Sequence, residues 1–309
     1  MIKVKNLTKS FNDNKVLDGL DFEIQEGEIV GLLGPNGAGK TTTLRILTGY
    51  LPFEQGKVEI LKNKIDSEKE RLKVKEKIGY LPENNPLYEE MLVVEYLYYM
   101  ADLKKISKGE VEKVIKEVVK KTGLESVYWR PIKELSKGFR QRVGLAASIL
   151  ADPEILILDE PTEGLDPNQR IDIRNLIKNL GQNKTVIISS HVLSEVENTC
   201  DRIIIINKGK VVADGKTREV LQQEAHKGRK LILEIEGKNV KDKIKELIRG
   251  GNFELTSEQG ERVRMEIALS SKKEIRPEIS QLVKENDWII WEVRIQESRL
   301  EDVFREVTK

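Results

Sequence analysis

Residues 34–42 read GPNGAGKTT, directly after the apolar triplet GLL at 31–33. No other stretch restricts the fold as strongly. The spacing GxxxxGK[ST] requires a strand, a glycine loop and a helix in that order. The loop works only if backbone N–H groups turn inward around a phosphate, with the positive end of the helix behind them. On this reading Gly34, Pro35, Asn36, Gly37, Ala38 and Gly39 form the cradle and Thr42 continues it into the helix. Lys40 reaches the β- and γ-phosphates of a nucleotide, and the Thr41 hydroxyl is a ligand for Mg²⁺.

The stretch ILILDE at 155–160 supplies an acidic partner. Four apolar residues read as a buried strand that delivers Asp159 to the mouth of the sheet, beside the metal. Glu160 follows, placed to orient or deprotonate a water in line with the γ-phosphate. Alone, two carboxylates at a strand end are as readily a solvated terminus; beside a phosphate loop they read as a catalytic pair.

Strands and helices alternate around these motifs. IKVKNLTKSF, VLDGLDFEI, EIVGLLG and KVEIL read as strands, and 40–48 as a helix. From about 90 to 150 the period is helical, with Val94, Leu97 and Tyr98, then Val111, Val114, Ile115, Val118 and Val119, at helical spacing. After ILILD come a helix at 168–180, the strand TVIIS, a helix at 192–199, the strand RIIII and a hairpin arm. The expected architecture is α/β: a mostly parallel sheet covered on both faces, with an N-terminal antiparallel β part and a helical subdomain at about 84–150. Periodicity fails at QQEAHKG, so 1–222 is read as the nucleotide-binding domain, 223–228 as a linker and 229–309 as an accessory domain. The last domain reads β-α-β-β-α-β, the ferredoxin-like plan, and ends on an amphipathic helix, RLEDVFREV, with an irregular helical extension as the rival.

Composition removes several classes. Lys+Arg 53 against Asp+Glu 52 leaves a formal charge of +1, which gives no global pull toward nucleic acid. Cys200 is the sole cysteine, so no intrachain disulfide forms, as suits a reducing compartment. MIKVKNLTKSF has no apolar core of a secretory signal, and no apolar run approaches the length needed to span a bilayer. A cytoplasmic chain that reaches a membrane only through a partner is expected.

A phosphate loop alone fits GTPases, kinases and helicases. Residues 135–142, LSKGFRQR, add a second glycine turn that opens a helix, although one nucleotide needs only one cradle. With EGLDP at 163–167 and His191 after TVIISS, the order of motifs over roughly 1–222 resembles the ATP-binding subunits of ABC transporters. In that family two ATPase domains pack head to tail, and each ATP lies between one subunit's loop and the other's LSKGFRQR-type signature. The resemblance therefore implies a homodimer on ATP binding. It assigns Ser136 and Gly138 to the γ-phosphate of the partner's nucleotide, Asp166 to the loop beside it and His191 as the switch histidine. Phe11 stands where the family stacks an aromatic on adenine, and core packing is its rival. Two departures matter. Lys137 and Phe139 replace the commoner glycine and glutamine, so those roles do not transfer. Glu83, in GYLPE, replaces the usual glutamine and is read as a metal-side residue, direct or through water; an ionised carboxylate cannot donate a hydrogen bond.

GYLPENNPLYEEM, the stretch from LSKGF to DPNQ and the closing LEDVFREVT are most similar to the ATPases of ABC-2-type exporters, within them the gliding-motility-associated group. This implies a separate polytopic permease, with Pro86, Leu87, Tyr88 and Met91 lining a groove for its coupling helix, and Leu92 and Leu97 as core. The expected location is peripheral, on the inner face of the cell membrane. The rival is a soluble ABC ATPase acting on ribosomes or nucleic acid. One phosphate loop, one signature, a short helical region between them and no basic stripe argue against it, so no nucleic-acid partner is expected.

Overall fold

The computed structural model describes residues 1–217, 219–220, 230–248, 253–268 and 275–296. The chain divides into two compact units, Met1–Thr217 and Arg218–Val307. The division falls a few residues before the boundary expected at 222. The linker 223–228, with His226, and the closing helix RLEDVFREV lie outside the described residues.

In the first unit β1 (Ile2–Phe11), β2 (Asn14–Ile24), β4 (Gln55–Ile60) and β5 (Asn63–Lys64) make an antiparallel sheet in the order β2-β1-β4-β5. A six-stranded sheet is built from β3 (Ile29–Leu33), β6 (Ile78–Leu81), β7 (Ile155–Asp159), β8 (Thr185–Ser190), β9 (Arg202–Asn207) and β10 (Lys210–Lys216). Its order is β10-β9-β3-β8-β7-β6, and every pairing is parallel except that of β10 with β9. Strands β3, β7 and β8 are buried along their whole length, which is why they read as continuous apolar runs and not as alternation. Helix α1 (Lys40–Leu47) lies in the core between the two sheets. Its Leu44, Ile46 and Leu47 share one buried cluster with Ile2, Val4, Leu20 and Phe22 of the antiparallel sheet and with Ile155, Ile157, Ile187 and Ile204 of the six-stranded sheet. That packing holds the loop before α1 at the carboxyl ends of the parallel strands, where open α/β sheets bind ligands.

Helices α2 (Glu68–Lys75), α3 (Val93–Leu103), α4 (Val111–Thr122) and α5 (Lys137–Ile149) follow in the unit's middle, then α6 (Pro167–Gly181) and α7 (Leu193–Thr199). The last three of the middle group form the helical region read from periodicity. The buried face of α3 is Val93, Val94, Tyr96, Leu97 and Ala101, whereas Tyr98 is exposed, because it sits about 100° around the helix from Leu97. No helix among the described residues is long and apolar enough to cross a membrane.

The second unit is β11 (Lys230–Glu236), α8 (Val240–Ile248), β12 (Phe253–Gln259), β13 (Arg262–Ala268), α9 (Arg276–Glu285) and β14 (Ile289–Gln296). The strands form one antiparallel sheet in the order β12-β13-β11-β14, which is the ferredoxin-like arrangement. Leu231, Leu233 and Ile235 pack with Val240 and Ile244 of α8, Ile279 of α9 and Trp288. Trp288 Nε1 donates to the Lys238 carbonyl at 3.1 Å.

Candidate nucleotide site

The loop from Gly34 to Gly39 is shaped by close approach. A Cβ on Gly34 would lie 2.3 Å from the Ile206 carbonyl oxygen of β9, and one on Gly39 would lie 2.5 Å from Leu17 Cδ2 of β2. Gly39 also has φ +108, a left-handed value, and stands at the N-cap of α1 without a side-chain cap. The first N–H groups of α1 are thus left for a ligand. The Gly209 N–H donates to the Ala38 carbonyl at 3.1 Å and clamps the loop against the β9–β10 turn. Lys40 is buried; its Nζ donates to the Gly34 carbonyl at 2.8 Å and lies 3.8 Å from the Glu160 carboxylate.

The acidic end is set by pairing between β7 and β8, which places Asp159 opposite Ser189. Ser189 Oγ donates to Asp159 Oδ1 at 2.6 Å and accepts the Glu160 N–H at 2.9 Å. Glu160 has φ +49, a strained value for a residue with a side chain, and the Ser189 bond holds it there. The turn carries the Glu160 carboxylate to His191, whose Nδ1 lies 2.9 Å from Oε2 and whose N–H donates to the same oxygen at 3.3 Å. Burial raises the Glu160 carboxyl above its ordinary pKa, and the opposing pull of His191 and Lys40 does not overcome it. A carboxylate so placed has an increased appetite for a proton, as a general base needs. Asp159 keeps a second oxygen, Oδ2, that is buried and meets no hydrogen-bond partner among the described residues; Thr41 Oγ1 lies 3.4 Å from its Oδ1.

Of these groups, Gly39, Lys40, Thr41, Glu160 and His191 open on a cavity of about 350 Å³, whereas Gly34, Pro35 and Asp159 are not among its lining residues. Residues Asn36 to Thr42, Glu83, Glu160 and His191 all line it, so the structure brings together most of the residues read from the motifs. Three contributors were not foreseen. Val16 comes from the other sheet and has no sequence signal, and Glu163 lies inside EGLDP without being singled out. Ser189 could have been found: two hydroxyls ending an apolar strand, beside ILILD in the sheet, is an unusual pattern.

Ser136, Gly138 and Asp166 are placed elsewhere. Ser136 caps α5, its Oγ accepting the Phe139 N–H at 3.3 Å. Asp166 caps α6, its Oδ1 accepting the Gln169 N–H at 2.9 Å. A Cβ on Gly138 would lie 2.8 Å from Gln169 Cδ, so the N-terminal ends of α5 and α6 are packed together. None of the three residues lines the cradle cavity. Phe11 sits at the β1–β2 turn, 46% exposed, with Lys9 Nζ 5.4 Å from its ring centre, which removes the core-packing reading.

A phosphate loop, a carboxylate pair after a parallel strand, a histidine on the second carboxylate and a separate glycine turn at a helix N-terminus define an ATP-binding cassette. Residues 17–163 match the family model described as ABC transporter. An uncharacterized ABC transporter ATP-binding protein of Methanocaldococcus jannaschii is 44% identical over 227 residues, 73% of this chain and 81% of its own length. The ABC transporter ATP-binding protein YdbJ of Bacillus subtilis is 35% identical over 311 residues, 100% of this chain and 95% of its own. The Nod factor export ATP-binding protein I of Cupriavidus metallidurans is 33% identical over 225 residues, 72% and 74% of the two chains. A dimeric structure of the ATP-binding cassette MJ0796, in a post-hydrolysis state bound to ADP and Pi, superposes with a TM-score of 0.65 at 29% identity, covering 71% of this chain and 99% of that one. The chain belongs to the ABC transporter ATP-binding protein family. It is an ABC-type ATPase, and the ribosomal or nucleic-acid reading is not favoured.

Proposed function

We propose that this chain is the ATPase of an ABC-2-type exporter, coupled to a separate polytopic membrane subunit whose cytoplasmic segment docks beside α3. One observation carries the reading. A groove of about 700 Å³ runs between the end of β6 and α3, lined by Tyr80, Pro86, Tyr88, Tyr96, Tyr99 and Leu103 among others. Tyr88 is 55% exposed and Leu103 57%, an apolar surface of the kind that marks a docking site. Tyr88 stacks edge-on against Tyr99 at 5.4 Å between ring centres, so the wall is preformed. Pro82 and Asn85 of the groove flank Glu83, which lines the nucleotide cavity. A short amphipathic helix laid in it would feel changes at the nucleotide. Of the four residues read as lining the groove, Pro86 and Tyr88 belong to this wall and Leu87 and Met91 do not; of the two read as core, Leu97 is buried and Leu92 half-buried. The export name of one relative and the likeness of GYLPENNPLYEEM to the gliding-motility group support the class. On this reading the protein is held at the inner face of the membrane by its partner.

Within the cassette, Glu160 acts as base toward water and His191 holds its carboxylate. Thr41 and the unpartnered oxygen of Asp159 suit Mg²⁺, with Glu83 on the same cavity wall. Such an ion takes one or two protein oxygens and fills its shell from the nucleotide and water. Bound there, it would neutralise phosphate charge. Ser136 and Gly138, which do not reach this chain's own cavity, serve the nucleotide of a second copy, as in a head-to-tail dimer. Phe11 stacks on the base.

The docking reading is tested by co-expressing and purifying the chain with any polytopic membrane protein found encoded beside it. Tyr88→Asp should release the membrane subunit and leave the isolated chain's ATP hydrolysis unchanged. Retention of the subunit by both Tyr88→Asp and Tyr99→Asp overturns it, and recovery of the chain on ribosomes would establish the rival class.

A further inference from the structure

Behind the catalytic strand end lies a buried polar cluster that none of the steps above uses. Glu195 of α7 is 7% exposed and Thr162 is 5% exposed, and the Thr162 hydroxyl donates to Glu195 Oε2. The other oxygen, Oε1, lies 3.8 Å from Arg170 Nε of α6, a charge contact too long for a hydrogen bond, and no described residue hydrogen-bonds it. Arg170 Nε itself donates to the Leu165 carbonyl at 2.9 Å. Helix α7 is seated hard on the sheet, since a Cβ on Gly31 of β3 would lie 2.2 Å from Val196 Cγ1. A partly paired carboxylate is expensive to keep out of water, and removing its partners is more so. The cluster reaches three parts of the site. Thr162 is two residues beyond Glu160, Leu165 precedes Asp166, and Glu195 is one helical turn beyond His191.

We propose that Glu195 is a positioning residue for hydrolysis, tying the segment Asp159–Thr162 to the start of α7 so that His191 keeps its 2.9 Å contact with Glu160. It touches neither the nucleotide cavity nor the reacting atoms, and the inference rests on the reading of Glu160 and His191 as the hydrolytic pair. A carboxylate suits the task because one oxygen accepts from Thr162 while the other faces the Arg170 cation.

The test uses the full chain, which has only two histidines, His191 and His226, so the ring signals of His191 are assigned by a single His226→Gln comparison. Glu160→Gln should displace the His191 ring resonances, and in a Glu195→Ala background that displacement should fall to less than half. In steady-state hydrolysis Glu195→Ala should lower kcat by ~10- to 100-fold, the scale of a misplacement of about 1 Å, with KM for ATP within about 2-fold because no binding contact is removed. Glu195→Gln keeps an acceptor for Thr162 and should recover most of kcat; Thr162→Val should reproduce Glu195→Ala, and the double variant should be no worse than either. If Glu195→Ala fails to fold, Thr162→Val against Thr162→Ser carries the same comparison. An unchanged His191 response, or a rise in KM with kcat intact, overturns the proposal. If instead Glu160→Gln hydrolyses normally, the hydrolytic-pair reading fails while the ring-signal comparison still decides whether Glu195 holds His191.

Discussion

Replacing Ser189 by alanine should damage this protein more than its position in an ordinary-looking strand suggests. Ser189 is fully buried, and its Oγ makes two bonds, a donated one to the Asp159 carboxylate at 2.6 Å and an accepted one from the Glu160 N–H at 2.9 Å. A bond to a charged group contributes ~1.5–3 kcal/mol and a neutral one ~0.5–1.5 kcal/mol. Little replaces them. The Glu160 N–H retains the Ser189 carbonyl at 3.3 Å, and Asp159 retains Thr41 at a long 3.4 Å. A loss of about 2–4 kcal/mol follows. Ser190→Ala is the matched control, because Ser190 is as buried yet its hydroxyl accepts one bond, from the Val192 N–H at 3.0 Å; it should lose about 1 kcal/mol.

Urea unfolding of the nucleotide-free chain, read by amide hydrogen exchange in β7 and β8, measures the loss where it arises. The same variant should also lose turnover by ~10-fold or more, since the left-handed turn at Glu160 is held by the bond removed. ATP binding should change little, because the loop residues are untouched. A stability loss under about 1 kcal/mol with normal turnover would refute the idea that Ser189 shapes the acidic end.

Other outcomes follow from the same geometry. Glu160→Gln should bind ATP and not turn it over. It should also be more stable than the parent at neutral pH: burial raises the folded-state pKa of Glu160, so its ionisation disfavours the fold, and that gap should close as pH falls toward the ordinary carboxylate range, as melting across pH would show. Lys40→Ala and Ser136→Arg should each be inactive alone, yet mixing them should restore part of the hydrolysis, since one intact loop then faces one intact signature; no recovery despite measured subunit exchange would argue against a site shared between copies. A fragment of 229–309 should melt cooperatively with mixed helix and strand circular dichroism, because Leu231, Leu233, Ile235, Met265 and Trp288 give that unit its own core; a disordered fragment would refute this.

The parts of the site legible in the sequence are those whose chemistry is local. GPNGAGKTT carries its strand, loop and helix within one stretch, and ILILDE announces both a buried strand and the carboxylates at its end. Ser189 and Val16 were not read because their roles exist only across strand pairings: β7 with β8 for the serine, and the close approach of β2 to the loop for the valine. Strand β6 was missed because IGYL is too short to show a period. The order of elements in the second unit was legible because β11, β13 and both helices each present an apolar face there, Leu231, Leu233 and Ile235 among them.

The placement of Asp166 changes what its loop can do. Its carboxylate holds the Gln169 N–H at the start of α6, and Gln169 is packed where a Cβ on Gly138 would sit. Lys137 closes the other side, its Nζ 2.1 Å from where a Cβ on Gly164 would be. The turn 163–166 and the signature at 136–139 are therefore one braced piece, and Asp166 contributes to it as a cap. Arg170 ties the same piece to Glu195, and hence to the helix that follows His191. In a head-to-tail pair the signature of one copy would meet the γ-phosphate held by the other. Within each copy, the same contacts connect that signature to its own 163–166 turn and to the Glu195 cluster behind its own Glu160. If the proposed head-to-tail pair forms, this is the route by which the state of the partner's nucleotide would reach Glu160, without any contact between the two nucleotides.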